Sequence, residues 1–144
     1  MIAMKQVIGL ILVFVFIAIA FLHIYWGLGG KWGLKGSIPD DPDRISKVLK
    51  PRPLAFVIVI LGLKLMAGLS GIKSGLIKIS IPAIIDQYGL TMIATIFLLR
   101  VIGEFKYIGL FKKIKSTEFA RKDTKYYIPL CLMIAIFAIL LQLY

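Results

Sequence analysis

The sequence is poor in cysteine, histidine and acidic residues, and each scarcity excludes a class of protein. Its 144 residues include one cysteine, Cys131, and one histidine, His23. A single cysteine excludes an intrachain disulfide, and a single histidine excludes haem ligation by two histidines. Only 7 Asp and Glu oppose 18 Lys and Arg, which gives a formal net charge of +11. In a soluble protein this charge would suggest a nucleic-acid partner.

Apolar sequence is abundant and points to a membrane instead. Hydrophobic residues make up 60% of the chain, and the mean hydropathy is +0.93. Four long apolar runs are each predicted to form a transmembrane helix, at residues 7–26, 54–70, 83–105 and 128–143. We therefore predict an all-α bundle of four transmembrane helices in one domain, 1–144. The first run continues past Ala20 without a polar break, which favours a retained helix over a cleaved signal peptide.

Most of the basic residues lie in two segments between the predicted helices, at 27–53 and 106–127. With four spans, these two segments lie on the same side of the membrane. The positive-inside rule then places both basic loops in the cytoplasm and both termini outside. The predicted partner is the anionic cytoplasmic leaflet rather than nucleic acid.

Three motifs resemble ligand or catalytic sites but have simpler explanations. The glycine-rich segment 27–36 lacks the Gly-x-x-x-x-Gly-Lys-Ser/Thr pattern, so a turn at the membrane surface is favoured over a phosphate loop. Asp41 and Pro42 suit the start of a short helix better than a cation site. The Gly-x-Ser-Gly segment at Ser70 matches intramembrane serine proteases, but His23 is predicted at the opposite membrane face.

The second predicted span carries a lysine, Lys64, near its middle. A charge at this depth is a functional hypothesis by default, although a lysine stem can also extend toward the outer surface. Small residues in and just after the same span are predicted to allow close helix packing; they are Gly62, Ala67, Gly68 and Gly71.

The candidate binding residues share a predicted depth at the cytoplasmic interface; they are His23, Trp26, Arg100, Glu104, Lys112, Lys113, Lys115, Asp123 and Tyr127. Arg100 and Glu104 are four residues apart on one helix face, so they are predicted to pair, and such a pair can also serve packing alone. Residues 106–125 are predicted to lie along the leaflet, with an apolar stripe facing the acyl boundary and lysines among the phosphates. No metal site and no cofactor are predicted.

Several motifs together resemble a known family; they are His23-Ile-Tyr-Trp26 followed by Gly29-Gly30 and Trp32-Gly33, then Ser37-Ile-Pro39, then Arg100-x-x-Gly103-Glu104-Phe105-x-Tyr107-x-Gly109-x-Phe111-Lys112, then Thr117-x-Phe119-Ala120-x-x-Asp123, and Tyr127-x-Pro129-Leu130. The set resembles the small bacterial four-span membrane proteins catalogued only as a domain of unknown function. The resemblance covers nearly the whole chain. It implies a multi-pass membrane protein, and it implies no activity and no catalytic residues.

Two functions therefore remain open at the level of sequence. The leading one is a binding or structural membrane protein whose basic cytoplasmic rim engages anionic lipid head groups. The alternative is a small membrane enzyme or transporter that uses a polar cluster of His23, Arg100 and Glu104. The first leads because the basic residues are numerous, whereas no catalytic geometry is evident. Self-association is compatible with such a small bundle, and nothing in the sequence sets a number of subunits.

Overall fold

The chain folds into long α-helices in a computed structural model that describes residues 2–30, 32, 53–103 and 121–144. The helices are α1 at Ile2–Gly27, α2 at Pro53–Lys73, α3 at Ala83–Ile102 and α4 at Ile128–Leu143. A π-helical turn, Asp123–Tyr127, leads directly into α4. The described part of the chain contains no strand, and the predicted all-α fold is confirmed.

All four helices are long and apolar enough to cross a membrane. Helix α4 has the predicted bounds, whereas α1 begins before residue 7 and α2 continues past residue 70. Helix α3 ends at Ile102, before the predicted end near residue 105. It ends there because Gly103 has a φ of 77°, a conformation that glycine adopts at little cost, and its N–H donates to the Leu99 carbonyl at 2.8 Å. Phe105 lies outside the described residues.

The helices pack as two antiparallel pairs, α1 with α2 and α3 with α4. Gly27, at the end of α1, lies beside Phe56 near the start of α2. The two pairs meet in a shared apolar core, where Phe16 is fully buried and its ring centroid is 5.8 Å from that of Phe97. A smaller cluster of Val101, Ile128 and Cys131 joins the end of α3 to the start of α4.

Much of the outside of the bundle is apolar. Phe14 is 70% exposed, Leu65 is 75% exposed and Ile84 is 69% exposed, and each lies on a different helix. Soluble monomers rarely expose large contiguous apolar surfaces. Lipid is the environment that matches such a surface without cost.

The two ends of the bundle differ in their contacts. At the terminal end, which holds residues 2–9, 70–89 and 140–144, Lys73 Nζ forms an ion pair with Asp86 Oδ1 at 2.9 Å. The Tyr144 hydroxyl donates to Met4 Sδ at 3.0 Å, so the two chain ends meet there. The opposite end, called the loop end, holds residues 23–30, 32, 100–103 and 121–127.

Close approach of α1 and α2 occurs at a glycine that the sequence prediction omitted. A Cβ on Gly9 would collide with the Ser74 side chain and would lie 3.3 Å from the Ser70 carbonyl oxygen. Gly62 and Gly68, by contrast, face open space, so the prediction that they mediate close packing is wrong. Gly71 does lie against a neighbour, because a Cβ there would meet the Ile77 side chain at 2.8 Å.

Candidate functional site

The end of α1 is closed by a tight turn that involves both tryptophans. Gly29 adopts a φ of 99°, which turns the chain back so that the Gly30 N–H donates to the Tyr25 carbonyl at 2.9 Å. The Trp26 indole N–H then donates to the Trp32 carbonyl at 2.9 Å. Trp26 is buried and Trp32 is exposed. The indole donor of Trp26 is therefore used to hold the turn.

His23 lies one turn before this point, among aromatic rings. Its Nδ1 atom is 2.8 Å from the Ile19 carbonyl oxygen. Because a carbonyl oxygen only accepts, Nδ1 is the donor in this contact. The centroid of the His23 ring lies 5.2 Å from the ring centroid of Trp26 and 6.4 Å from that of Phe56. These contacts fix His23 to the α1–α2 pair.

Arg100 occupies the last turn of α3, on the other helix pair. A cation is favourable there because the carbonyl groups at a helix end carry partial negative charge. Its side chain is half-buried, and its Nη1 atom is shielded from solvent. The predicted partner, Glu104, lies outside the described residues. The described contacts of His23 are all with α1 and α2, so they do not extend to Arg100.

The π-helical turn at 123–127 has a local cause in the sequence. Pro129 has no N–H to donate to the carbonyl of Lys125, four residues earlier, and its ring crowds that carbonyl. A wider turn relieves the crowding, so the helix before α4 takes π geometry while the run from residue 121 to 143 stays helical. Such turns occur frequently at functional sites.

A basic surface cavity of about 510 Å³ lies beside this turn. It is lined by Arg121, Lys122, Lys125 and Tyr126. The Lys125 ammonium lies 5.2 Å from the centroid of the Tyr126 ring, a cation–π distance that orients the lysine. Three cationic side chains and one aromatic ring around one cavity form a suitable surface for an anion at a membrane interface.

Five of the nine predicted site residues lie within the described ranges. His23 and Trp26 lie on α1, Arg100 lies on α3, and Tyr127 ends the π-helical turn. Asp123 begins that turn, and its side chain is not among those described. The remaining predicted residues, Glu104, Lys112, Lys113 and Lys115, lie outside the described ranges, as does most of the segment 106–125 that is predicted to lie along the leaflet.

The residues around the cavity were not among the named site residues, although Arg121, Lys122 and Lys125 lie in the segment 106–125 that was predicted to follow the leaflet. A signal for them was present, because Arg121 and Lys125, like Lys122 and Tyr126, are four residues apart and share a helix face. The sequence prediction treated this stretch as a loop and so did not use that spacing. Pro129, placed just after a basic segment, was the second available signal.

Other chemistry has little support in the described part of the chain. Cys131 is buried, in the cluster with Val101 and Ile128. No group of three His, Cys, Asp or Glu side chains among the described residues is arranged to hold a metal ion. Ser70 is fully buried at the terminal end, and its hydroxyl donates to the Met66 carbonyl at 2.8 Å.

Fold and site define an all-α protein with four membrane-compatible helices and a basic cavity at one end. The chain belongs to the family DUF3995, described as a protein of unknown function, which matches residues 16–138. The resemblance predicted from the motifs is thereby confirmed. Searches of curated proteins and of solved structures gave no match.

Proposed function

We propose that the protein is a multi-pass membrane protein whose loop end lies at the cytoplasmic leaflet and binds anionic lipid head groups. The observation that carries this proposal is the cavity lined by Arg121, Lys122, Lys125 and Tyr126. Arginine and lysine donate charge-assisted hydrogen bonds to phosphate oxygens. Tyrosine is favoured at the head-group level, where one end of the side chain is apolar and the other polar.

The orientation follows from the unequal charge of the two ends. The loop end holds Arg100 and the three cavity cations, and both basic segments, 27–53 and 106–127, connect there. The terminal end holds fewer basic residues, and one of them, Lys73, is paired with Asp86. Under the positive-inside rule the loop end is cytoplasmic and both termini are outside.

Several basic side chains acting together supply the affinity. Each basic residue close to an anionic leaflet contributes on the order of 1 kcal/mol, and this contribution decreases as salt increases. Lys112, Lys113 and Lys115 belong to the same basic segment and are proposed to join the three cavity cations. Binding of one head group in the cavity and general attraction of the basic segment to the leaflet therefore both hold the loop end at the membrane surface.

The enzyme or transporter alternative has weaker support. It needs His23, Arg100 and Glu104 to act together, yet the described contacts of His23 are with α1 and α2. Arg100 lies on α3, and Glu104 is outside the described residues.

The test removes two charges from the cavity and compares the lipids that remain bound. The variant Arg121→Gln with Lys125→Gln is purified in mild detergent, and its co-purified lipids are quantified by mass spectrometry. We expect at least a severalfold loss of anionic lipid, because about 1 kcal/mol is lost per charge. We also expect a smaller rise in melting temperature when phosphatidylglycerol is added back.

A matched variant, Lys5→Gln with Lys78→Gln, removes the same charge from the terminal end and should retain the anionic lipids of the natural sequence. The variant with Lys112, Lys113 and Lys115 changed to Gln should behave like the cavity variant. Unchanged anionic lipid in both loop-end variants would show that these basic residues act only as topological signals during insertion.

A further inference from the structure

A groove between α1 and α2 is lined by a lysine near the middle of a membrane-compatible helix. The groove has a volume of about 210 Å³, and Lys64 is the one charged side chain in its lining. Lys64 is eleven positions after Pro53, the first residue of α2, which is roughly 16 Å along the helix. Because α2 spans Pro53–Lys73, this is close to its middle. Lys64 is exposed on the outer surface of the bundle.

Nothing in the described helices neutralises this charge at its own depth. Asp86 is the one carboxylate within α1, α2, α3 and α4. It lies in the first turn of α3 at the terminal end, where it is paired with Lys73. Charged side chains inside a bilayer are costly, and they commonly pair with an opposite charge.

The shape of the groove suits a helix. Its floor includes Ala20, which is 5% exposed, and Leu63, which is 7% exposed. Its rim includes Ile17 and Phe21, which are 42% and 66% exposed. A small residue flanked by large apolar ones lets a second backbone approach and gives it side chains to pack against.

We propose that this groove accepts a transmembrane helix of a different protein that carries a carboxylate at mid-membrane depth, which pairs with Lys64. A second copy of this chain does not fit as the occupant. A symmetric dimer through the groove would bring two Lys64 side chains together, and the described helices offer no carboxylate at that level. The occupant is therefore defined by charge, and this proposal is independent of lipid binding at the loop end.

The test uses synthetic helices of known sequence as probes. The full chain is reconstituted in phosphatidylcholine vesicles at pH 8, and its two tryptophans, Trp26 and Trp32, serve as energy donors. The acceptors are two dansyl-labelled leucine–alanine transmembrane peptides, one with a central glutamate and one with a central glutamine. We expect about fivefold or tighter association of the glutamate peptide, the range seen for polar contacts between membrane helices.

Three variants identify the source of that preference. Lys64→Met should abolish the difference between the two peptides, whereas Lys64→Arg should keep it, which distinguishes a lost charge from a lost fold. Lys78→Met removes an exposed lysine from the connection after α2 and should leave the difference intact. Equal association of both peptides with the natural chain, or an unchanged preference in Lys64→Met, would overturn the proposal and leave lipid as the cover of the groove.

Discussion

Gly9 shows how one residue sets the distance between two helices. The missing side chain leaves room for the Ser74 side chain, and Ser70 and Ser74 turn their hydroxyls back to carbonyls of their own segment, those of Met66 and Gly71. The two buried serines are thus satisfied within α2 and the turn after it. This arrangement lets α1 approach polar residues of α2 without leaving a donor unpaired.

We expect Gly9→Ala to lower the stability of the bundle by roughly 1–3 kcal/mol, the usual cost of overpacking a close contact. The added methyl group would collide with Ser74, so α1 would have to move away from α2. Thermal unfolding in detergent measures the effect. Gly62→Ala is the matched control, because a Cβ there meets open space and alanine is the better helix former. Equal stability of both variants would contradict the close contact.

Sequence reasoning located small residues but not the face they occupy. The prediction placed close packing at Gly62 and Gly68, which face open space, and omitted Gly9. In a soluble helix the apolar stripe would have distinguished the two faces. Here large apolar side chains such as Phe14 and Leu65 are exposed as well as buried, so an apolar stripe gives little rotational information.

At the scale of elements, the π-helical turn connects a proline to the basic cavity. Pro129 widens the turn before α4, and the widened turn positions Arg121, Lys122 and Lys125 relative to the bundle. In a regular α-helix each residue advances by about 100°. A π turn holds one residue more than an α-helical turn. Conversion to a regular α-helix would therefore rotate Arg121 and Lys122 relative to α4.

We expect Pro129→Ala to reduce anionic lipid binding without removing any charge. Alanine supplies the N–H that a regular α-helical turn needs, so the turn can lose its π geometry. Quantification of co-purified phosphatidylglycerol measures the loss, and we expect it to be severalfold. Pro82→Ala, at the start of α3 on the terminal end, is the control and should leave the lipids unchanged. Full retention of lipid in Pro129→Ala would show that lipid binding does not depend on the π-helical turn.

At the scale of the whole molecule, charge asymmetry defines the expected orientation. The four helices alternate in direction, so residues 27–53 and 106–127 connect at the same end. Charged loops resist transfer across the membrane during insertion. The orientation is therefore a property of the full chain and not of any one helix.

We expect cysteines placed at Ser46 or Ser116, in a Cys131→Ala background, to resist an impermeant thiol reagent in intact cells. Both positions belong to the basic segments that the positive-inside rule assigns to the cytoplasm. Permeabilised cells should label at both positions. The control, Lys78→Cys, lies in the exposed connection after α2 and should label in intact cells. The opposite pattern, with Lys78→Cys protected and the other two labelled, would invert the orientation.

The four long apolar helices of the described residues and the family were both predictable from the sequence. An apolar run long enough to cross a bilayer is a local property, and helix formation satisfies its backbone groups without any partner. For this reason the predicted bounds of α4 agree with the structure. The family motifs are likewise contiguous in sequence.

Tertiary structure alone decided which residues meet. Three features depend on how each helix is rotated about its axis and on which helix lies beside it. They are the contact of Gly9 with Ser74, the groove at Lys64, and the cavity of Arg121, Lys122 and Lys125. Apolar faces of a helix fit the bilayer interior in any rotation, so contact with lipid does not select one. Van der Waals packing between particular side chains selects one rotation, and that selection involves residues far apart in the sequence.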